Sequence, residues 1–244
     1  IKEPTGWLTT NSMTCNLNAA NKNSWYVVPS VYNTTLTWVS NQPDAKVGII
    51  GQSAYTSTAD VYKQYNSNNG SNAMLIRNVA WDAAGGGIGD TKQTGNTNYS
   101  NYYGSQQPSA IANRTAGKMW LGVAGQEGAA FASRPAKLKG FYQFVADSQN
   151  PNEKGVVEIQ LVSGDMVIGS ARKELIACSG YNEFELPIEY LGLSELFNKK
   201  ATSLRISFTS SNNPGDIKTT NYCNKDECVS RGAMLIVDNL TFEY

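Results

Sequence analysis

Five aromatic residues stand where a sugar could be held: Trp81, Tyr99, Tyr102, Tyr103 and Trp120. Carbohydrate recognition stacks the apolar face of a sugar ring on Trp or Tyr, while amides and carboxylates fix the hydroxyls. Tyr102 and Tyr103 are adjacent and flanked by Asn101 and Gly104, a setting that suits a core poorly. Trp81 leads into DAAGGGIGDTKQTGNTNYSNYYGSQQ, residues 82–107, which has no apolar periodicity. The competing reading for tyrosines in polar loops is packing on a sheet face or contact with another protein. Trp7, Trp25 and Trp38 sit among alternating apolar residues and read as core.

Acid chemistry is harder to place. Glycoside hydrolysis needs two carboxyls roughly 5 to 9.5 Å apart, one of them with a raised pKa. Glu127 in AGQEGAAF and Asp82, Asp90 or Asp147 are acids near candidate loops, but no spacing selects a pair. Glu183, Glu185 and Glu189 alternate with apolar residues and read as a solvated strand face. No catalytic residue is assigned. The three glycines 85–87 lack both a following helix signal and a closing Lys-Ser/Thr, so they read as a surface loop rather than a phosphate cradle. NPGDIK and NKDE supply acids without the ordered ligand spacing of a calcium loop.

Composition narrows the classes further. The 244 residues include no histidine, which excludes a Ser-His-Asp triad, a Cys-His pair and any His-ligated metal centre within this chain. Lys+Arg and Asp+Glu are 20 each, with no basic block, which argues against a nucleic-acid partner and against a polybasic membrane patch. Abundant Tyr, Asn, Ser, Thr and Gly with only 16% charge suits an exported β-sandwich. Four cysteines, Cys15, Cys178, Cys223 and Cys228, allow three pairings, and a short-loop disulfide between Cys223 and Cys228 fits an exported protein. No apolar run is long enough for a membrane helix. The polar start on Ile1 reads as a mature or trimmed chain.

The elements that must position these residues are strands. KLKGFYQFVAD, GVVEIQLVSG, MVIGSARKEL, YNEFELPIEY and SLRISFTSS alternate apolar and polar residues, with a hairpin turn at Gly164-Asp165. Pro187 marks an edge or a bulge. Residues 212–232 read as a long polar loop, and LGLSELFNKK as a helical turn crossing between strands. The first half is less regular, with SWYVVPSVY, TLTWVS, KVGIIGQ and NAMLIRNVAW as candidate strands. The expectation is one all-β domain over 1–244, two packed antiparallel sheets with regular strands from about residue 117. In the closing GAMLIVDNLTFEY, continuous alternation places Asp238 in one row with Ile236, Leu240 and Phe242, where an unpaired carboxylate would cost several kcal/mol.

FASRPAKLKGFYQF (131–144) and the terminal MLIVDNLTFEY together resemble the carbohydrate metabolism domain of exported Bacteroidetes proteins. The matching residues are Phe131, Arg134, Pro135, Gly140 and Tyr142, then Val237, Asp238 and Asn239, with Phe141 a variation. The resemblance implies a jelly-roll β-sandwich like those of carbohydrate-binding modules. It implies an outer-membrane lipoprotein or periplasmic protein of a surface glycan-utilisation system. It brings no active site. Such jelly rolls often hold a structural calcium near the terminal strand, which makes Asp238 a metal-ligand candidate. The alternative is an acid capped by backbone or paired with Arg134, Arg77 or Arg205. The expected function is glycan binding without cleavage, with Arg134 and Asp238 structural. The alternatives are a glycoside hydrolase and a structural component that meets other surface proteins.

Overall fold

The computed structural model describes residues 12–16, 24–28, 38–40, 59–62, 73–81, 113–123, 126–192, 199–223 and 228–244. Side chains are described for 73–78, 114–122, 127–192, 199–220 and 232–244. Tyr99, Tyr102, Tyr103, the KVGIIGQ segment and most of LGLSELFNKK lie outside these residues.

The early strands are β1 (Ser12–Asn16), β2 (Ser24–Val28), β3 (Trp38–Ser40), β4 (Ala59–Tyr62), β5 (Ala73–Trp81) and β6 (Asn113–Thr115). The middle ones are β7 (Lys118–Val123), β8 (Gln126–Glu127), β9 (Ala129–Ala130), β10 (Lys137–Val145), β11 (Gly155–Ser163) and β12 (Met166–Leu175). The last are β13 (Asn182–Pro187), β14 (Glu189–Tyr190), β15 (Ser203–Thr209), β16 (Thr220–Cys223) and β17 (Cys228–Glu243). β1 and β2 pair as a ribbon, and the remaining strands make two antiparallel sheets.

One sheet runs β13-β10-β17-β5-β4, with β16 on β17 and β6 on β5; the other runs β14-β12-β11-β15-β7-β3, with β8 on β7 and β9 on β15. Number β5, β7, β10, β11, β12, β13, β15 and β17 from one to eight, and the sheets read 6-3-8-1 and 5-4-7-2. Successive strands thus alternate between the sheets except at the β11–β12 hairpin, the winding of two Greek keys into a jelly roll. The fold is an all-β jelly-roll sandwich.

The alternation read from the sequence is what closes the core. Leu138, Tyr142 and Phe144 of β10, Phe184 and Leu186 of β13, and Leu235 and Val237 of β17 point inward from the seven-stranded sheet. Val157, Ile159 and Leu161 of β11 and Leu204, Ile206 and Phe208 of β15 meet them from the eight-stranded sheet. Phe184 touches Tyr142 edge-on at 6.3 Å and Phe208 at 6.4 Å, so one aromatic chain links the two layers. Gly164 has φ +62° between the paired Ser163 and Met166, the backbone that a two-residue hairpin with glycine first requires. Pro187 ends β13, the edge of its sheet, and the chain then crosses so that β14 joins the edge of the other sheet.

Two expectations change. The segment 212–232 is not all loop: β16 folds back on the start of β17, with Cys223 directly opposite Cys228. Ladder hydrogen bonds outweigh polar composition there. The terminal strand also does not alternate without a break. Ala233, Leu235 and Val237 face the core, and then Leu240 faces it too, because the register against β10 slips between Lys139 and Phe141. Asn239 sits at φ +52° in that bulge. The extra residue flips the parity, so Asp238 shares the outer face with Ile236 and Phe141, not the inner row with Leu240.

Candidate functional site

The two outer faces of the sandwich differ. On the seven-stranded sheet, Ala73, Leu75 and Ile236 form a second buried apolar cluster, and Arg77 and Asp238 on that face are also buried. On the eight-stranded sheet, the central outward positions Glu158, Gln160, Ser170, Arg172 and Arg205 carry polar, exposed side chains. The outer face of the seven-stranded sheet is thus closed around β5 and β17 and carries charged side chains on β10 and β13, while the eight-stranded face holds an open groove.

Register lays these side chains out as a grid. One row crosses four strands as Arg172, Glu158, Ser207 and Trp120. The next row is Glu189, Ser170, Gln160 and Arg205. Directly opposite residues in an antiparallel pair have Cβ atoms about 4.5–5.5 Å apart, so neighbours in a row can contact one ligand together. Glu158, Gln160, Ser170, Arg172, Arg205 and Ser207 line a groove of about 670 Å³ that crosses this face and reaches its β12 edge, where Lys173, Glu189 and the end of β13 from the other sheet also line it. Trp120 stands at its flank, opposite Ser207, with Lys118 Nζ 5.8 Å from the ring centroid.

Ion pairs order much of the groove. Arg172 Nε donates to Glu158 Oε1 at 3.0 Å and its Nη1 lies 3.7 Å from Glu174. Lys118 pairs with Glu127. Lys173 donates to the Glu185 carbonyl oxygen at 3.2 Å. These residues supply a polar wall that can hydrogen-bond hydroxyl groups, beside one indole ring.

Of the aromatic candidates, only Trp120 has a described side chain, and it lies on this face. Trp81 ends β5 opposite Asn113 on the other sheet, and its side chain lies outside the described residues, as do Tyr99, Tyr102 and Tyr103. Arg134 donates from Nη1 to the Lys199 carbonyl oxygen at 2.9 Å, and its guanidinium stacks 3.7 Å from the Tyr190 ring centroid. The Tyr190 hydroxyl donates to the Pro135 carbonyl at 2.6 Å, and burial pushes its phenol up to about 12 against the pull of Arg134. Asp238 is 1% exposed, and its Oδ1 accepts the backbone N–H of Asn239 at 2.8 Å, so a backbone amide is one partner of that acid. Among the described residues, no three carboxylate or cysteine side chains cluster as metal ligands.

Another polar group lies inside the sandwich. Asn78 donates to Glu153 Oε1 at 2.9 Å and accepts from the Ser210 hydroxyl at 2.8 Å. Burial pushes the Glu153 carboxyl up, with the Ser211 and Asn78 side chains pulling the other way. Asp147, also buried, accepts from the Gln149 amide at 2.8 Å and the Thr220 hydroxyl at 3.2 Å. These contacts tie loops to the sandwich end.

Of the residues on this face the sequence pointed to Trp120, while Glu158, Gln160, Ser170, Arg172 and Ser207 carry no signal there as site residues. Their polarity at every second position was visible; which strands lie side by side was not.

No family model matches the chain, and no curated protein matches it either. The resemblance to the carbohydrate metabolism domain thus stands on the motif residues alone. Among solved structures, the chain is similar at TM-score 0.37 and 8% identity to TmCBM61 in complex with β-1,4-galactotriose, over 84% of this chain and 86% of that one. It is similar at TM-score 0.35 and 10% identity to CBM28, a carbohydrate-binding module specific for non-crystalline cellulose, over 85% and 87%. The enzymatically active domain of tailspike protein 4 of bacteriophage CBA120 aligns at TM-score 0.37 and 10% identity, over 85% of this chain but 19% of that one.

Proposed function

We propose that this protein binds a glycan, without cutting it, on the outer face of its eight-stranded sheet. The observation that carries the reading is Trp120 standing opposite Ser207 at the flank of a groove whose wall is built of hydrogen-bonding side chains. An indole beside Glu158, Gln160, Ser170 and Arg172 offers a sugar ring both a stacking surface and partners for its hydroxyls. Non-catalytic binding is supported by the state of the acids. Glu127 and Glu158 in the groove are engaged by Lys118 and Arg172. The described Asp or Glu whose carboxyl is pushed upward, as a general acid requires, is Glu153, 3% exposed and in the interior. Export to a bacterial surface or periplasm, within a glycan-utilisation system, is part of the same reading and rests on the composition and the motif resemblance.

A glycan array combined with an assay for released reducing ends tests this. The expected result is retention of at least one glycan class, no new reducing ends, and at least tenfold weaker binding by Trp120→Ala with an unchanged melting temperature. Turnover would make the protein a hydrolase. Equal affinity of the variant would remove this face from the site.

A further inference from the structure

The cations of the groove are not equivalent. Arg172 is neutralised by Glu158 and Glu174 and Lys118 by Glu127, while Lys173 keeps its charge but spends a donor on the Glu185 backbone carbonyl. Arg205 differs. Among the described residues its one hydrogen bond is from Nη1 to Gln160 Oε1 at 3.4 Å, the long and weak end of the range, and no carboxylate of those residues lies within ion-pair distance. Its guanidinium is exposed on β15, inside the sheet rather than at its edge, and lines the groove.

We infer that Arg205 is a subsite for a sugar carboxylate, so that the glycan bound on this face is acidic, a chain containing uronic acid. This rests on the glycan-binding reading above. A planar guanidinium presents paired N–H donors that match a carboxylate in bidentate fashion, and Arg205 has that edge uncommitted. Glu158 and Glu127 would repel an anion if bare, but each already carries its own cation. Glu189, the other acid of the Arg205 row, stands three strands away on β14, so Arg205 is the cation nearest Trp120 with no carboxylate on it among the described residues. Arg205 and Trp120 are diagonal neighbours across β15 and β7, a step of about 7–8 Å. A pyranose stacked on Trp120 can therefore place its own or the next residue's carboxylate at Arg205. Gln160, Ser170 and Ser207 lie around that position and can take up hydroxyls.

The test measures affinity for polygalacturonate and alginate, for the carboxyl-reduced form of each, and for neutral galactan and xylan, by gel affinity electrophoresis and calorimetry. The wild type is expected to prefer a polyuronate at least tenfold over its carboxyl-reduced form, with the preference shrinking as salt is raised. Arg205→Gln should bind the two forms within twofold of each other, and Arg205→Lys should recover part of the preference. Binding of neutral and reduced glycans as tightly as polyuronates would overturn this inference and leave the glycan reading in place. A polyuronate preference that survives in Arg205→Gln would also overturn it. Failure to bind any of the six polymers or any array glycan would sink both.

Discussion

Asn78 and Glu153, 75 residues apart in the chain, are joined by a 2.9 Å hydrogen bond from amide to carboxylate inside the sandwich. Burial raises the Glu153 pKa in the folded protein, so folding opposes ionisation there. Stability from this group is greatest below the ordinary carboxylate value and falls as pH rises through the folded one. Glu153→Gln keeps an acceptor for Asn78 and removes the charge. The variant should melt higher than wild type at neutral pH, with the gap closing below about pH 4. Thermal melts across that range check it; a gap that does not change with pH would refute the linkage.

The opposite sign holds on the outer face of β10. Lys139 Nζ lies 2.6 Å from Glu185 and 2.9 Å from Glu243, and Lys137 lies 3.1 and 3.4 Å from the same two acids. These lysines, Lys139 first, hold both carboxyls below their usual range. The stabilisation is present above the ordinary carboxylate pKa and is lost as pH falls through the depressed folded value. A Glu185→Gln/Glu243→Gln variant should show a shallower acid limb in its melting curve, and 1 M salt should narrow the difference. Parallel acid limbs for the two proteins would exclude the network as a source of acid sensitivity.

Asn239 is held at φ +52°, where a residue with a Cβ pays about 1–2 kcal/mol and glycine pays little. Asn239→Val should lower stability by about that amount, and Asn239→Gly should stay much closer to wild type. Urea midpoints decide it, and equal losses for both variants would show that the bulge geometry is not what the position selects.

Cys223 and Cys228 are opposite residues of the β16–β17 hairpin. Opposite positions in an antiparallel pair have Cα atoms about 4.5–5.5 Å apart, within disulfide reach. Peptide mapping of non-reduced, alkylated protein should find these two linked and Cys178, a free thiol, labelled. Label on both hairpin cysteines would refute the bridge.

The regular strands of the second half were legible because alternation is local. Leu138 to Phe144, Val157 to Leu161 and Leu204 to Phe208 each announced their inward faces, and Gly164-Asp165 announced the turn between β11 and β12. The place of Asp238 was misread because a bulge leaves no mark in a two-residue period. Only the slip against β10 and the left-handed Asn239 show that parity is broken there. The polar character of 212–232 likewise concealed a hairpin whose stability comes from backbone ladders rather than side-chain pattern.

The sequence by itself determined the all-β class, the core faces and the absence of histidine chemistry, since these follow from residue types and near-neighbour spacing. Strand order was a tertiary decision. β7 lies beside β15, and β15 beside β11, in the jelly-roll winding by which the two sheets bury their apolar faces against each other. That winding brings Trp120 opposite Ser207 and leaves Arg205 uncommitted next to paired acids, a site assembled from strands that no local pattern connects.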